Sequence, residues 1–321
     1  MKTEGPSAQP ESEAVAFNKR ITERVAAGFI PDLRRAVKCE YFYQSFWRDP
    51  HFIDLFMGEN IRNFISIMHE HGQSGMRVLD AGCGAGYVAL ELARAGFHVT
   101  AIDVADEAID VSKKTAEENP FVDGFGSLTY EVRSFLEYEG EFDAVLFRGV
   151  VHHFPNPDTV LEHAAKLLKS GGLLLCMEPA HEQWHESDAA QVALIRALLA
   201  HTGHWHDAEL VDRLKTAEDI SAYITEVHRE YTQERDALER GQSPHDNACD
   251  GEAILTAART YFDELELRST NAFIHRLLGG LRGSDEATHS LADFITRYER
   301  HAIDAGYMRA NGFLFVGRKA T

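Results

Sequence analysis

The stretch MRVLDAGCGAGYVALELARAGFHVTAID, residues 76–103, decides how this chain is read. A short apolar run, Val78 and Leu79, ends in the carboxylate of Asp80, and a loop follows with Gly82, Gly84 and Gly86. A segment of helical spacing (Val88, Leu90, Leu92, Ala93) closes at Gly96, and a second apolar run ends in Asp103. Strand, glycine turn, helix, strand and terminal carboxylate is the arrangement that binds an adenosine-containing cofactor on a doubly wound sheet. Glycine lets the backbone approach such a ligand where a Cβ would collide. Asp103 stands 21 residues beyond Gly82, where a carboxylate accepts hydrogen bonds from ribose hydroxyls. Spacing then separates two cofactors. The dinucleotide pattern G-x-G-x-x-G would need its third glycine at position 87, which is Tyr87. This chain reads G-x-G-x-G behind an acid.

Composition sets the outer bounds. At 321 residues the chain is long for one domain and short for two large ones. Its apolar share of 44% and charged share of 26% are those of a soluble globular protein. A formal charge of −19 argues against nucleic acid, whose phosphates need clustered Lys and Arg, and reads as solubility. No apolar run is long enough to span a membrane, so no membrane partner is expected, and the acidic start (Glu4, Glu11, Glu13) is no signal peptide. Cys39, Cys83, Cys176 and Cys249 form no C-x-x-C pair, which suggests a reducing, cytoplasmic setting.

Working outward from the glycine loop, residues 1–12 read as a disordered tail with Pro6 and Pro10. From Glu13, Phe17, Ile21, Val25 and Phe29 recur every four residues, as in an amphipathic helix ending near Pro31. An aromatic region (Tyr41 to Phe56) precedes a helix with Ile61, Phe64, Ile65 and Met68 on one face and Gly72 past its end. After Asp103 a helix runs to about Asn119, then strands fall at Leu128–Val132 and Ala144–Phe147. Asn156-Pro157 caps a helix carrying Val160, Leu161, Ala164, Leu167 and Leu168, which stops at Gly171-Gly172. The run Leu173 to Met177 is a strand buried on both faces. Residues 186–260 read as helical, with a break at Gly241 to Pro244. Alternation returns at Leu265, Leu267, Ser269 and at Phe313, Phe315, Gly317, the last strands of the sheet around a helical insertion. Strands alternating with helices mean an α/β fold with a doubly wound, mostly parallel sheet. The expected divisions are a tail and helical lid (1–72), a Rossmann-like core (73–180), a helical substrate region (181–260) and the end of the sheet (261–321).

The segment FDAVLFRGVVHHFPNP, residues 142–157, and LLKSGGLL, residues 167–174, extend the pattern begun by Asp80 and the glycine loop. Together they resemble class I S-adenosylmethionine-dependent methyltransferases of the small-molecule type, over roughly a third of the chain. Ser170 stands where that family usually has proline. The resemblance implies a seven-strand Rossmann-like fold, S-adenosylmethionine as cofactor and a small-molecule methyl acceptor. It places Asp80, Gly82, Cys83, Gly84 and Gly86 around the methionine part of the cofactor, Asp103 at the ribose, and Arg148 among the contacts. After the third strand the family usually has an acid for the adenine amine. Ser134 stands there instead, with Phe135 in position to cover the ring.

Methyl transfer is an in-line displacement, so the protein must align the nucleophile, exclude water and, for a hydroxyl, remove a proton. Histidine suits that task at neutral pH. His152 and His153 follow the fourth strand at the carboxyl edge of the sheet. The resemblance makes His152, then His153, a candidate general base. The bland alternative is a pair that only shapes the pocket. Glu178 and His181 follow the fifth strand and are candidates for the substrate or for structural work. His181-Glu182-Gln183-Trp184-His185 matches the zinc pattern H-E-x-x-H, but Pro179 delays a helix, and no metal is assigned. His201, His204 and His206 lie nearby in sequence. Tyr43 and Trp47 stand for a lid that lines the substrate, against a reading as core packing, and Trp184 and Trp205 for an opposite wall. The expected function is methylation of a small organic molecule, at oxygen rather than nitrogen or carbon. The alternatives are a protein using the bound sulfonium for another reaction, and a metal-dependent hydrolase built on the histidine-rich region.

Overall fold

A computed structural model describes residues 8–232 and 248–320. Seven strands form one sheet: β1 (Arg77–Ala81), β2 (His98–Asp103), β3 (Ser127–Val132), β4 (Phe142–Arg148), β5 (Leu168–Pro179), β6 (Phe262–Ser269) and β7 (Gly312–Lys319). Their order across the sheet is β3-β2-β1-β4-β5-β7-β6. Pairs from β3 to β5 are parallel, and β7 runs antiparallel between β5 and β6. Helices α1 (Ala8–Ala26) and α2 (Glu59–His71) precede the sheet. The crossovers are α3 (Tyr87–Arg94), α4 (Asp106–Glu117) and α5 (Pro157–Leu167). Between β5 and β6 lie α6 (Glu186–His201), α7 (Ala217–Thr232) and α8 (Gly251–Tyr261), and α9 (Asp285–Asp304) joins β6 to β7. No helix among the described residues is long and apolar enough to cross a membrane.

The period-two rule of a strand assigns its side chains to opposite faces. Ala144 and Leu146 of β4, Leu173 and Leu175 of β5, and Leu314 and Val316 of β7 join the core under α2 and α3. Val145 and Phe147, Leu174 and Cys176, and Phe313 and Phe315 join the core under α5 and α8. Burial on both faces is why the run at β5 is apolar without alternation. A third core (Phe52, Trp184, Trp205, Phe273, Leu277) ties the second-half helices to the front segment.

The strand order reverses between β1 and β4, since β1 pairs with β2 on one side and with β4 on the other, so a crevice opens beyond the carboxyl ends of β1 and β4. That edge carries Asp80, Asp103, the glycine loop and the turn after β4.

Several boundaries differ from expectation. α1 starts at Ala8 and ends at Ala26, because Gly28 turns left-handed (φ 91°) and the Phe29 N–H closes back on Arg24 O at 3.0 Å. Phe29 therefore leaves the helix and packs on Phe42, Trp47 and Tyr87. α5 stops at Leu167, and Leu168 already pairs with Phe142 as part of β5, with a register shift before Ala144 and Leu173. Residues 1–7 of the expected tail and the expected break at Gly241 to Pro244 lie outside the described residues.

Candidate active site

The glycine loop is hung from the end of β2. Gly82 and Cys83 donate their N–H groups to Ile102 O at 2.8 and 3.0 Å. Gly84 N–H donates to Asp103 Oδ2 at 2.8 Å, and Ala105 N–H to Asp103 Oδ1 at 2.9 Å. Gly84 has φ 52°, and a Cβ there would meet nothing within 4 Å, so the loop presents bare backbone to open space. At Gly82 the inner side is closed, since a Cβ would sit 2.6 Å from Val150. Cys83 is partly buried in the same turn.

Three ionisable groups under this loop are out of balance. Burial pushes the Asp80 carboxyl up to about 7, with Asp103 adding to the push. Burial also raises Asp103, against its bonds from Ala105 and Gly84. Arg148, at the end of β4, is lowered to about 10 by burial, against the pull of Asp80 and Glu178. Among the described residues, Asp80 Oδ2 and Arg148 Nε are buried without a hydrogen-bond partner. A carboxylate and a guanidinium left short of partners around an open glycine turn fit the ammonium and carboxylate of an amino-acid moiety. The methionine end of S-adenosylmethionine carries both groups.

Beyond Arg148 the chain makes a tight turn held by Glu178. This side chain is 2% exposed and accepts from Val150 N–H and Val151 N–H, each at 2.9 Å to Oε1. Its Oε2 lies 2.7 Å from His152 Nδ1. Burial alone would raise Glu178, but His152 and the Val150 and Val151 amides hold it below the usual range. An ionised carboxylate only accepts, so His152 Nδ1 is the nitrogen that carries the shared proton. The His152 and His153 rings lie 4.2 Å apart, and His181 approaches His152 at 6.2 Å. Glu178 thus braces the turn and its histidine.

Other expected site residues are placed differently. Ser134 follows Arg133, whose N–H donates to Asp103 O at 2.9 Å, so it lies near the carboxyl end of β2. Phe135 does not cover a cleft: it is 5% exposed and packs edge-on against Phe147 and His163, because a 3₁₀ turn at Phe135–Glu137 sends its ring into the core. Trp47 stacks with Phe46 and Tyr87 in the packing between front segment and sheet. Tyr43 is 49% exposed beneath Arg282. Trp184 and Trp205 are buried in the third core and line no wall. His181 sits in the 3₁₀ turn His181–Gln183 and His185 caps α6, so the H-E-x-x-H residues share no helix face. His204 Nδ1 meets Arg282 O at 3.0 Å, and His201 Nδ1 meets Ala197 O at 2.8 Å, while His206 lies over Trp205.

Sequence reasoning counted Phe56 only as a member of the aromatic region, and its ring lies 5.9 Å from the Arg148 guanidinium, while it missed His275, 5.9 Å from Phe56. Burial, with Arg276 and His181 adding, drives His275 well below the usual histidine range. His275 comes from a segment with no motif, and no local signal marks it.

A family model described as a methyltransferase domain matches residues 51–234. Curated relatives include the ubiquinone biosynthesis O-methyltransferase of Maricaulis maris (strain MCS10), 36% identical over 121 residues. That match covers 38% of this chain and 47% of the relative, about half its length. The enzyme of the same name from Xanthomonas oryzae pv. oryzae (strain PXO99A) is 35% identical over 172 residues, covering 49% of this chain and 69% of the relative. The solved structure of magnesium protoporphyrin IX methyltransferase from Synechocystis PCC 6803 with bound SAH aligns over 97% of this chain and 99% of that one. Its TM-score is 0.53 at 13% identity, a likeness of fold. The matched domain, the curated relatives and the seven-stranded sheet establish that this chain belongs to the class I S-adenosylmethionine-dependent methyltransferases.

Proposed function

We propose that the chain methylates a hydroxyl oxygen of a small organic molecule, with His152 taking the hydroxyl proton and Glu178 orienting it. The observation that carries this reading is the 2.7 Å contact between His152 Nδ1 and the buried Glu178 carboxylate. Bound S-adenosylmethionine supplies a methyl group on a positively charged sulfur. Asp103 receives the ribose hydroxyls through the lone pairs its two backbone bonds leave over. Asp80 and Arg148 take the ammonium and carboxylate of the methionine end, and the Gly82–Gly86 backbone lies along it. Ser134 sits toward the adenine. His152 Nε2 accepts the proton as the oxygen attacks, and Glu178 steadies the imidazolium that results. Tyr43 and Trp47 are assigned no contact with the acceptor, and His153 and His181 flank it. The curated relatives are named O-methyltransferases, which supports oxygen as the acceptor atom.

The test is methylation of a panel of small phenols, read as demethylated cofactor and as product mass. His152→Gln is expected to lose about 10²-fold or more in rate with cofactor affinity unchanged. Glu178→Gln should lose about 10-fold or more, because the ring loses its orientation and its charge partner. A methyl group found on nitrogen or carbon, or a His152→Gln rate within a few-fold of the parent, would falsify the reading.

A further inference from the structure

α2, the carboxyl end of β6 and α9 enclose a chamber of about 210 Å³ that the site above does not use. Glu299 stands in its wall and is 4% exposed. Its Oε1 accepts from the backbone N–H groups of Ala272, Phe273 and Ile274, and none of these donors goes to Oε2. Burial pushes the Glu299 carboxyl up to about 7 against those three amides. Among the described residues no side-chain cation is hydrogen-bonded to this buried acid, although Arg300 lies near enough to lower it. The two arginines in the wall are turned to other acids: Arg300 to Glu59 and Arg268 to Glu266. Asp304 adds a further negative charge to the lining, and Asn60, Asn63 and Asn271 add neutral acceptors and donors.

The chamber adjoins the reaction centre. Met177 in its floor stands opposite Arg148 in the β4–β5 register. Phe56 belongs to the chamber wall and also lies 5.9 Å from the Arg148 guanidinium. Asn271 Nδ2 lies 3.3 Å from His275 Nδ1, and His275 in turn feels the charge of His181.

We propose that this chamber receives a protonated amine at the far end of the methyl acceptor, with Glu299 as its counter-ion. The inference rests on the reading of His152 as the proton-accepting end of the same site. The chamber is smaller than a whole drug-sized ligand needs, so it suits a tail while the reacting hydroxyl remains at His152. An ammonium group there satisfies the oxygen that the backbone leaves over and keeps the carboxyl ionised. An anionic tail would meet three acids.

The test is isothermal titration of the full chain saturated with demethylated cofactor. The probes are three phenols with the same two-carbon arm: tyramine (ammonium), tyrosol (hydroxyl) and 4-hydroxyphenylacetate (carboxylate). The parent is expected to bind tyramine about tenfold or more tighter than the carboxylate, with tyrosol between. Glu299→Gln keeps an oxygen for the three amides and should bring the three affinities within about threefold of one another. Asn63→Leu, which narrows the chamber, should weaken all three, and it decides the matter if Glu299→Gln does not fold. Failure of tyramine to bind the parent, tighter binding of the carboxylate, or an ammonium preference that survives Glu299→Gln overturns the proposal. Product analysis separates it from the function proposed above. A Glu299-dependent preference without methyl ether would sink oxygen transfer alone, and ether formation without that preference would sink only the chamber.

Discussion

Asp80 shows what the site demands of a single residue. Its folded carboxyl is raised to about 7 from an ordinary value near 4, so between those limits the native state holds a proton that the unfolded chain has released. Stability without ligand therefore falls as pH rises through that window and stays reduced above it. Asp80→Asn is expected to raise Tm by a few degrees at pH 8, with the gain shrinking towards pH 5, while weakening cofactor binding. Calorimetry at both pH values checks it, and an equal shift at each would show that the charge is not the cause. The positions of Asp80 and Asp103 were legible because each closes an apolar run at a strand's end, whereas His152 lies four residues beyond the end of β4. The work of Glu178 was not legible, because the amides it holds belong to the turn after a different strand. Phe135 was misread for a related reason: its position in sequence gave no sign that a 3₁₀ turn would rotate the ring inward.

At the scale of elements, the helix behind the glycine loop is fastened to the front of the molecule by a buried ionic fork. Arg94 of α3 is 1% exposed at its side chain and meets the fully buried Asp32 through two bonds of 2.8 and 2.7 Å. Its other partners are Glu91 and Asn119, and Arg34 reaches Glu91 from the front segment. Burial works against the Asp32 charge, but Arg94 and the Arg34 N–H hold its carboxyl below the usual range. A depressed acid contributes stability that is present above about pH 4 and is lost as pH falls further. Asp32→Ala removes the bidentate pair and leaves the buried guanidinium only Glu91 and Asn119, and is expected to cost about 1.5–3 kcal/mol in urea unfolding at pH 7. A loss under about 1 kcal/mol would show that Arg94 finds another partner. None of this fork was visible in the sequence, since its members are spread from residue 32 to residue 119. The elements themselves were legible where periodicity and caps agreed, as at α5, whose cap Asn156 accepts from Asp158 N–H at 3.2 Å. They failed where a left-handed glycine or an early strand pairing cut the pattern short, as at Gly28 and Leu168.

For the whole molecule, the core sheet is the part a sequence states openly, because burial on two faces leaves long apolar runs. The helices added around it follow no shared pattern, so Trp184 and Trp205 read as ligand walls yet serve a third core. Ligand binding to the native state alone should stabilise the entire fold. At a hundred times its dissociation constant, demethylated cofactor is expected to add about 2.7 kcal/mol, and Asp103→Ala should lose most of that gain at the same concentration. Thermal scans with and without ligand check this, and an unmoved midpoint in the parent would contradict it. The position of β7 carries one more consequence. It is laid between β5 and β6, so Leu173 meets Arg318 while Phe262 meets Lys319. During synthesis, until that stretch leaves the ribosome, two rows of peptide groups stand open with nothing to join, a sticky seam that a nascent-chain chaperone would be suited to cover.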